Sequence, residues 1–268
     1  MGPRLRRLVV TSALLAAPAT AQDTTRPATS APARVPFKVG ERLEYDVRFG
    51  FPLTPQFHVG SGVMEVSSID TVRGHEAWHA IFSVNGGTRV YHVNDRYESW
   101  MDIYTLSSLR YFQEINEGNY HPERRFEIYP ERRVFVQDSE APQPTVARPL
   151  DEASFLYFLR TIQLGVGLDT SFSDYFRPER NPVRIRVLRK DKIKVPAGEY
   201  NAIVVQPVIV NSKILSEGGH AEVWLSDDDN RIILQVKTKL SFGSLNLYLK
   251  SYRPSVSPAI RIAKPPTL

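Results

Sequence analysis

Leu43, Tyr45, Val47 and Phe49 alternate with Glu44, Asp46 and Arg48, and the same two-residue period returns through most of the chain. Successive side chains of a strand point to opposite faces, so this period writes a pleated element with one dry side and one wet side. Ile232, Leu234, Val236, Thr238, Leu240 and Phe242 form one such face, with Gln235, Lys237, Lys239 and Ser241 on the other. Leu245, Leu247 and Leu249 repeat it against Asn246, Tyr248 and Lys250. Shorter runs occupy 63–69, 109–115, 126–136 and 183–188. Half-wet strands belong to antiparallel sheets. Turn signals separate them at Asn85-Gly86-Gly87, Glu117-Gly118-Asn119, Pro196-Ala197-Gly198, Glu217-Gly218-Gly219, 227–230 and Gly243-Ser244.

One stretch does not alternate. Asp151 suits a helix N-cap, Glu152 suits the first turn, and Gly165 offers an exit. Between them Phe155, Leu156, Leu159 and Ile162 share a face at helical spacing. The pattern predicts an all-β domain of curved antiparallel sheets, a sandwich or half-open barrel. One amphipathic helix near 151–164 divides its strands into two sets and packs on the concave side. The 268 residues are 42% hydrophobic, enough for a real core and too many for a disordered chain.

The ends read differently. Residues 1–21 carry a basic start (Arg4, Arg6, Arg7), a short apolar run from Leu8 to Ala17, and small residues at Ala19 and Ala21. Those are the three parts of a secretory signal peptide, with cleavage before Gln22. Residues 22–35 form a Pro/Thr/Ala linker, 36–253 a single β-rich domain, and 254–268 a disordered, proline-rich tail. The protein is thus expected to be exported, to the periplasm or beyond the cell. Loss of the three leader arginines lowers the net charge from +5 to +2, so charge is no argument for a nucleic-acid partner. The absence of cysteine excludes disulfides, thiolate metal sites and a cysteine nucleophile. No apolar stretch in the body is long enough for a transmembrane helix. Uneven strands, an internal apolar helix and a proline-rich tail argue against an outer-membrane barrel.

The most chemically suggestive string is His75-Glu76-Ala77-Trp78-His79, a match to H-E-x-x-H, with Glu98-Ser99-Trp100-Met101-Asp102 downstream as a source of a third ligand. In zinc hydrolases the two histidines sit one helical turn apart, about 6 Å along the axis, and share one ion. On a strand the same spacing spans about 13 Å and cannot. A strand end and turn precede His75, and Gly86-Gly87 follows closely, so 75–84 reads as a hairpin strand with Trp78, Ala80 and Phe82 facing the core. No metal, cofactor or catalytic residue is assigned. Segment 177–194 is strongly basic, with Arg184 and Arg186 on one face. It reads as the wet side of a hairpin turning near Lys190-Asp191, with a surface for phosphate, lipid headgroups or acidic glycan as the alternative. Carboxylates at 94–102 and 227–229 fit strands and a tight turn.

Pro36 to Tyr45, Asp95 to Asp102, the Asp151 to Arg160 helix, Val195 to Tyr200 and Trp224 to Asp228 occur in an order that resembles an uncharacterised bacterial envelope family, domain of unknown function 3108. The resemblance spans roughly 36–250 and implies an exported β-rich protein; it supplies no catalytic residues. The expected function is non-catalytic binding of a lipid or other apolar or amphipathic ligand, or of a partner chain, in the sheet's concavity. Phe155, Tyr157, Phe158 and Trp224 are the candidate lining. The alternatives are a structural scaffold with a filled interior and a zinc hydrolase through His75, Glu76 and His79.

Overall fold

The computed structural model describes residues 33–51, 53–87, 92–209, 221–240 and 243–255. The first arm of the sheet runs β1 (Arg42–Gly50), β2 (Phe57–Val72), β3 (His75–Gly87), β4 (His92–Asp102), β5 (Ser108–Glu114), β6 (Glu123–Tyr129), β7 (Val134–Gln137) and β8 (Gln143–Pro144). A helix, α1 (Glu152–Leu159), follows. The second arm is β9 (Asp169–Phe172), β10 (Val183–Val195), β11 (Gly198–Ile209), β12 (Ala221–Ser226), β13 (Ile233–Leu240) and β14 (Gly243–Arg253). All fourteen lie in one sheet, each pairing antiparallel with its neighbours in the chain except β8 with β9. The arms meet where β1 pairs with β14, which leaves β8 and β9 as the edges.

Register shows which side faces the helix, because residues directly opposite one another point the same way. Val47 lies opposite Leu247, Leu247 opposite Val236, Val236 opposite Val223, and Val223 opposite Val205. All but Val236 are buried, and with Leu43, Tyr45, Met64 and Val66 they form one core with Phe155, Tyr157 and Leu159 of α1. The alternation in the sequence is thus the two faces of a single curved sheet, with the helix in its hollow.

The helix begins as expected. The Asp151 carboxylate accepts from the Ala153 and Ser154 N–H groups, and the Ser154 hydroxyl accepts from the Asp151 N–H. It stops about a turn early, because Arg160 and Thr161 switch to tighter i to i−3 bonds with the Tyr157 and Phe158 carbonyls. Gly165 therefore plays no part in its exit. Nor is α1 one-sided: Ala153, Ser154, Phe155, Tyr157 and Leu159 are buried, while Leu156 and Phe158 are half-buried. A helix apolar on most sides is one enclosed by its fold.

No ladder joins the two edges. Instead the chain after β9 crosses to the first arm: the Leu150 N–H donates to the Asp174 carbonyl at 2.7 Å and the Phe176 N–H to the Leu150 carbonyl at 2.9 Å. Phe176 then packs against Phe126 and Phe135, each 5.3 Å between ring centroids.

Three expected turns and one expected strand run need correction: Gly243-Ser244 already belongs to β14, opposite Leu240 and Lys239. Asn85-Gly86-Gly87 lies inside β3, and Lys190-Asp191 lies inside β10, which continues to Val195 and bulges between Val187 and Arg189. The 126–136 run is broken at Pro130–Arg132 by a 3-10 turn, closed by a left-handed Arg133. Glu217-Gly218-Gly219 falls outside the described residues.

Candidate functional site

The H-E-x-x-H string lies on β3, as the spacing argument required. Register with β4 sets Ala77 opposite Asp102, His79 opposite Trp100, and Ile81 opposite Glu98. Each histidine therefore meets a different carboxylate: His75 Nδ1 lies 3.3 Å from Asp102 Oδ2, and His79 Nε2 lies 2.6 Å from Glu98 Oε2. His79 Nδ1 faces Asp70 Oδ2 at 3.3 Å, and its ring stacks on Trp100 at 4.2 Å. The strand spacing and these separate carboxylate contacts keep the two imidazoles from converging on one ion. Among the described residues no group of three His, Asp or Glu side chains could hold a metal. The two strings form a cross-strand ladder of histidines and acids.

The four candidate lining residues do not share a site. Phe155 and Tyr157 are each 1% exposed. Phe155 and Phe158 both pack on Phe172, with ring centroids 6.4 and 5.3 Å away. Trp224 follows Val223 in β12 and so points away from α1, on the outer face with Glu222. There the Lys237 ammonium lies 4.7 Å and the Arg189 guanidinium 5.7 Å from its ring centroid. Together these four are core and outer-face packing, not the wall of one hollow.

Where the helix side of the sheet does open is at the end that carries the β1–β2 turn. In the row Leu43, Met64, Phe82, Tyr97, the first two residues are sealed and the last two half-buried. In the next row Tyr45 and Gly62 are buried, Val84 is half-buried, and Asp95 completes it. Above them Val47 faces Gly60 and Gly86, and Phe49 faces Phe57 and Leu245. Phe82 and Tyr97 stack at 5.9 Å. The floor lacks side chains because β2 and β3 approach too closely for any: a Cβ on Gly60 would sit 2.2 Å from the Asn85 carbonyl oxygen, and one on Gly86 2.2 Å from that of Val59. The result is an apolar mouth with a glycine floor.

Two polar residues share these rows, Asp95 opposite Val84 and Gln113 opposite Tyr97. Asp95 is 5% exposed, takes the Asn116 N–H at 3.0 Å, and takes the Tyr97 hydroxyl at 3.4 Å. Burial pushes its carboxyl up to about 6 against the Asn116 bond, and the neighbouring Glu117 charge adds to the rise. An apolar stretch with a few oriented polar groups is the usual design of a small-ligand site. Neither Asp95 nor the aromatic row was chosen from the sequence. The signal available was a run of glycines (Gly60, Gly62, Gly86, Gly87) inside otherwise alternating strands.

The basic segment is largely neutralised by its surroundings. Arg184 holds both Asp169 oxygens at 2.6 and 2.5 Å, Lys190 meets Asp227 at 2.7 Å, and Arg189 meets Glu222 at 3.3 Å. Arg180 reaches Glu152 at 3.3 Å. That is the wet side of a long hairpin.

A single antiparallel sheet wrapped round one helix, open at one end, is a β-barrel-like architecture. The solved structure of a β-barrel-like protein of domain of unknown function DUF1849 from Brucella abortus matches with a TM-score of 0.53 and 11% identity, over 83% of this chain and 100% of that one. At that identity the likeness speaks for the fold alone. A candidate lipoprotein from Parabacteroides distasonis (TM-score 0.34, 10% identity, 84% of this chain, 100% of that one) carries no argument. Nor does a candidate exported protein with a YmcC-like fold from Bacteroides fragilis (0.30, 9%, 83%, 100%). No curated protein matches the sequence. The family is shown directly: its sequence profile matches residues 44–250, and the chain belongs to the proteins of unknown function DUF3108.

Proposed function

We propose that this protein is an exported component of the cell envelope that performs no catalysis and receives the apolar part of an amphipathic ligand in the mouth beside α1. The observation that carries this reading is the gradient along the sheet's inner face, sealed at Leu43, Tyr45 and Met64 and half-open at Phe82, Val84, Tyr97 and Leu245. Asp95 supplies a polar end for the ligand's head, accepting from a hydroxyl or ammonium when ionised and donating when protonated. Export is inferred from the basic, apolar and small-residue order of positions 1–21, which lie outside the described residues.

A scaffold without ligand is the second reading, favoured by the closely packed interior around Phe155, Tyr157 and Leu159. A fluorescent fatty-acid probe separates the two. The protein should bind it, and Val84→Trp, which fills the mouth, should raise the dissociation constant at least about tenfold, or about 1.4 kcal/mol. Absence of probe binding, together with native mass spectra free of any adduct, would leave the scaffold.

A further inference from the structure

Of the eight exposed large apolar side chains among the described residues, Val39, Ile69, Tyr120, Val166 and Leu188 stand apart, and three cluster at one tip. Leu53 is 106% exposed, Phe51 53% and Phe57 41%, and all three belong to the β1–β2 turn. Phe49, Phe51 and Phe57 pack on one another, with centroids 5.0 Å apart for Phe49 and Phe51 and 6.0 Å for Phe49 and Phe57. The turn is braced from behind, not buried: the Thr54 N–H and hydroxyl both donate to the Phe51 carbonyl, and the Tyr248 hydroxyl donates to Gln56. Leu53 is held outward at φ +64°, a left-handed backbone that a leucine seldom adopts. Isolated exposed apolar residues need no explanation, but a contiguous apolar patch on a projecting tip marks an interaction surface.

We propose that this aromatic lip docks on a lipid surface. No charged residue occurs from Phe49 to Phe57. Cationic or protonatable side chains flank it: Arg48 and His58 at its root, and exposed Lys239, which lies opposite Ser244 as Gly50 does. The nearest carboxylate along β1, Asp46, is engaged by Arg48 at 3.5 Å and approached by His58 at 4.0 Å. An apolar wedge beside the exposed Lys239 ammonium, with Arg48 and the protonatable His58 at its root, suits the boundary of an anionic bilayer, where apolar side chains leave water and cations meet headgroups. A second copy of the chain fits poorly. Three side chains cover at most a few hundred Å², with each aromatic offering about 150–250 Å², whereas a stable protein interface buries about 800 Å² per partner. The inference goes beyond the reading of the mouth, since docking requires the lip alone and holds whether or not the mouth takes a ligand.

The absence of cysteine allows a direct test on the full chain. Leu53→Cys, carrying an environment-sensitive fluorophore, is mixed with vesicles of phosphatidylethanolamine and phosphatidylglycerol that contain a lipid-borne quencher. The control is the same label at Glu131→Cys, an exposed site at the opposite end of the sheet. The label at 53 should blue-shift and be quenched, and that at 131 should not. Phe51→Ser with Phe57→Ser should weaken the response about tenfold or more, as expected when two aromatic side chains no longer leave water. The response should also fall on neutral phosphatidylcholine. A label at 53 that stays aqueous while the chain sediments with vesicles would overturn the proposal. So would a response indifferent to the two serines, or protection of the label by self-association without lipid.

Discussion

Arg160 is the largest fully buried side chain of the described core, and the stability of the fold should depend on its partner. Its guanidinium, with 0% of the side chain exposed, grips both oxygens of Glu41 at 2.7 and 2.9 Å; the Glu41 side chain is 2% exposed. The Asn230 carbonyl at 3.0 Å and the Pro36 carbonyl at 3.4 Å take further bonds, and the Tyr252 hydroxyl donates to Glu41. One ion pair thus joins the end of α1, the segment before β1, the β12–β13 turn and β14. Glu41→Leu would leave a buried cation with two carbonyls and no counter-charge. A break of that kind costs about 3–5 kcal/mol. Arg160→Met alone should cost a similar amount, by stranding the carboxylate. In the double variant neither charge remains, and the loss should shrink to the two orphaned carbonyls, about 1–3 kcal/mol each at most. Urea unfolding of the four proteins closes the cycle, with an expected coupling of at least about 2 kcal/mol. Single variants that each cost under about 1 kcal/mol, or a double variant equal to their sum, would refute the reasoning.

Two further outcomes follow from the same structure. Asp95 and Asp151 are both held near pH 6 by burial, above the usual carboxyl range near 4. Between about pH 4 and pH 6 these two groups bind more protons in the folded chain than in the unfolded one, so their contribution to stability falls as pH rises through that window. Urea midpoints across the window should decline, and Asp151→Asn, which keeps the capping oxygen, should remove up to about 3 kcal/mol of the decline; an unchanged slope would contradict the assignment. Zinc offers the second test. With His75 and His79 committed to separate carboxylates, equimolar zinc followed by excess chelator should leave the melting temperature unmoved, whereas a rise abolished by His75→Gln with His79→Gln would show convergence on one ion.

Alternation made β1, β13 and β14 legible, and the turn signals on either side of the H-E-x-x-H string pointed to the strand on which it lies. Asp151 likewise announced its helix. What local pattern could not show was depth. Trp224 and Val223 are both apolar neighbours in β12, and only the chain of cross-strand partners decides which of them faces the helix. The expected turn at Asn85-Gly86-Gly87 failed for a related reason, since those glycines answer the close passage of β2 against β3, a contact invisible along one strand. Nothing local marks Arg160 as buried, because its carboxylate lies 119 residues away. The mouth was missed because the sequence was searched for large lining residues, while its floor is made of glycine.

The seam between β1 and β14 also sets the order of events as the molecule is made. Each arm can grow hairpin by hairpin from neighbouring segments, but the join at the middle of the sheet pairs Arg42 with Arg253. It must wait for the final strand. A chain cut short before Gly243 would bare the flanks of both β1 and β13, two ready templates for aggregation. Until that last segment arrives the polypeptide cannot finish folding, which is the condition a chain must keep if it is to be threaded through a membrane before it becomes a protein.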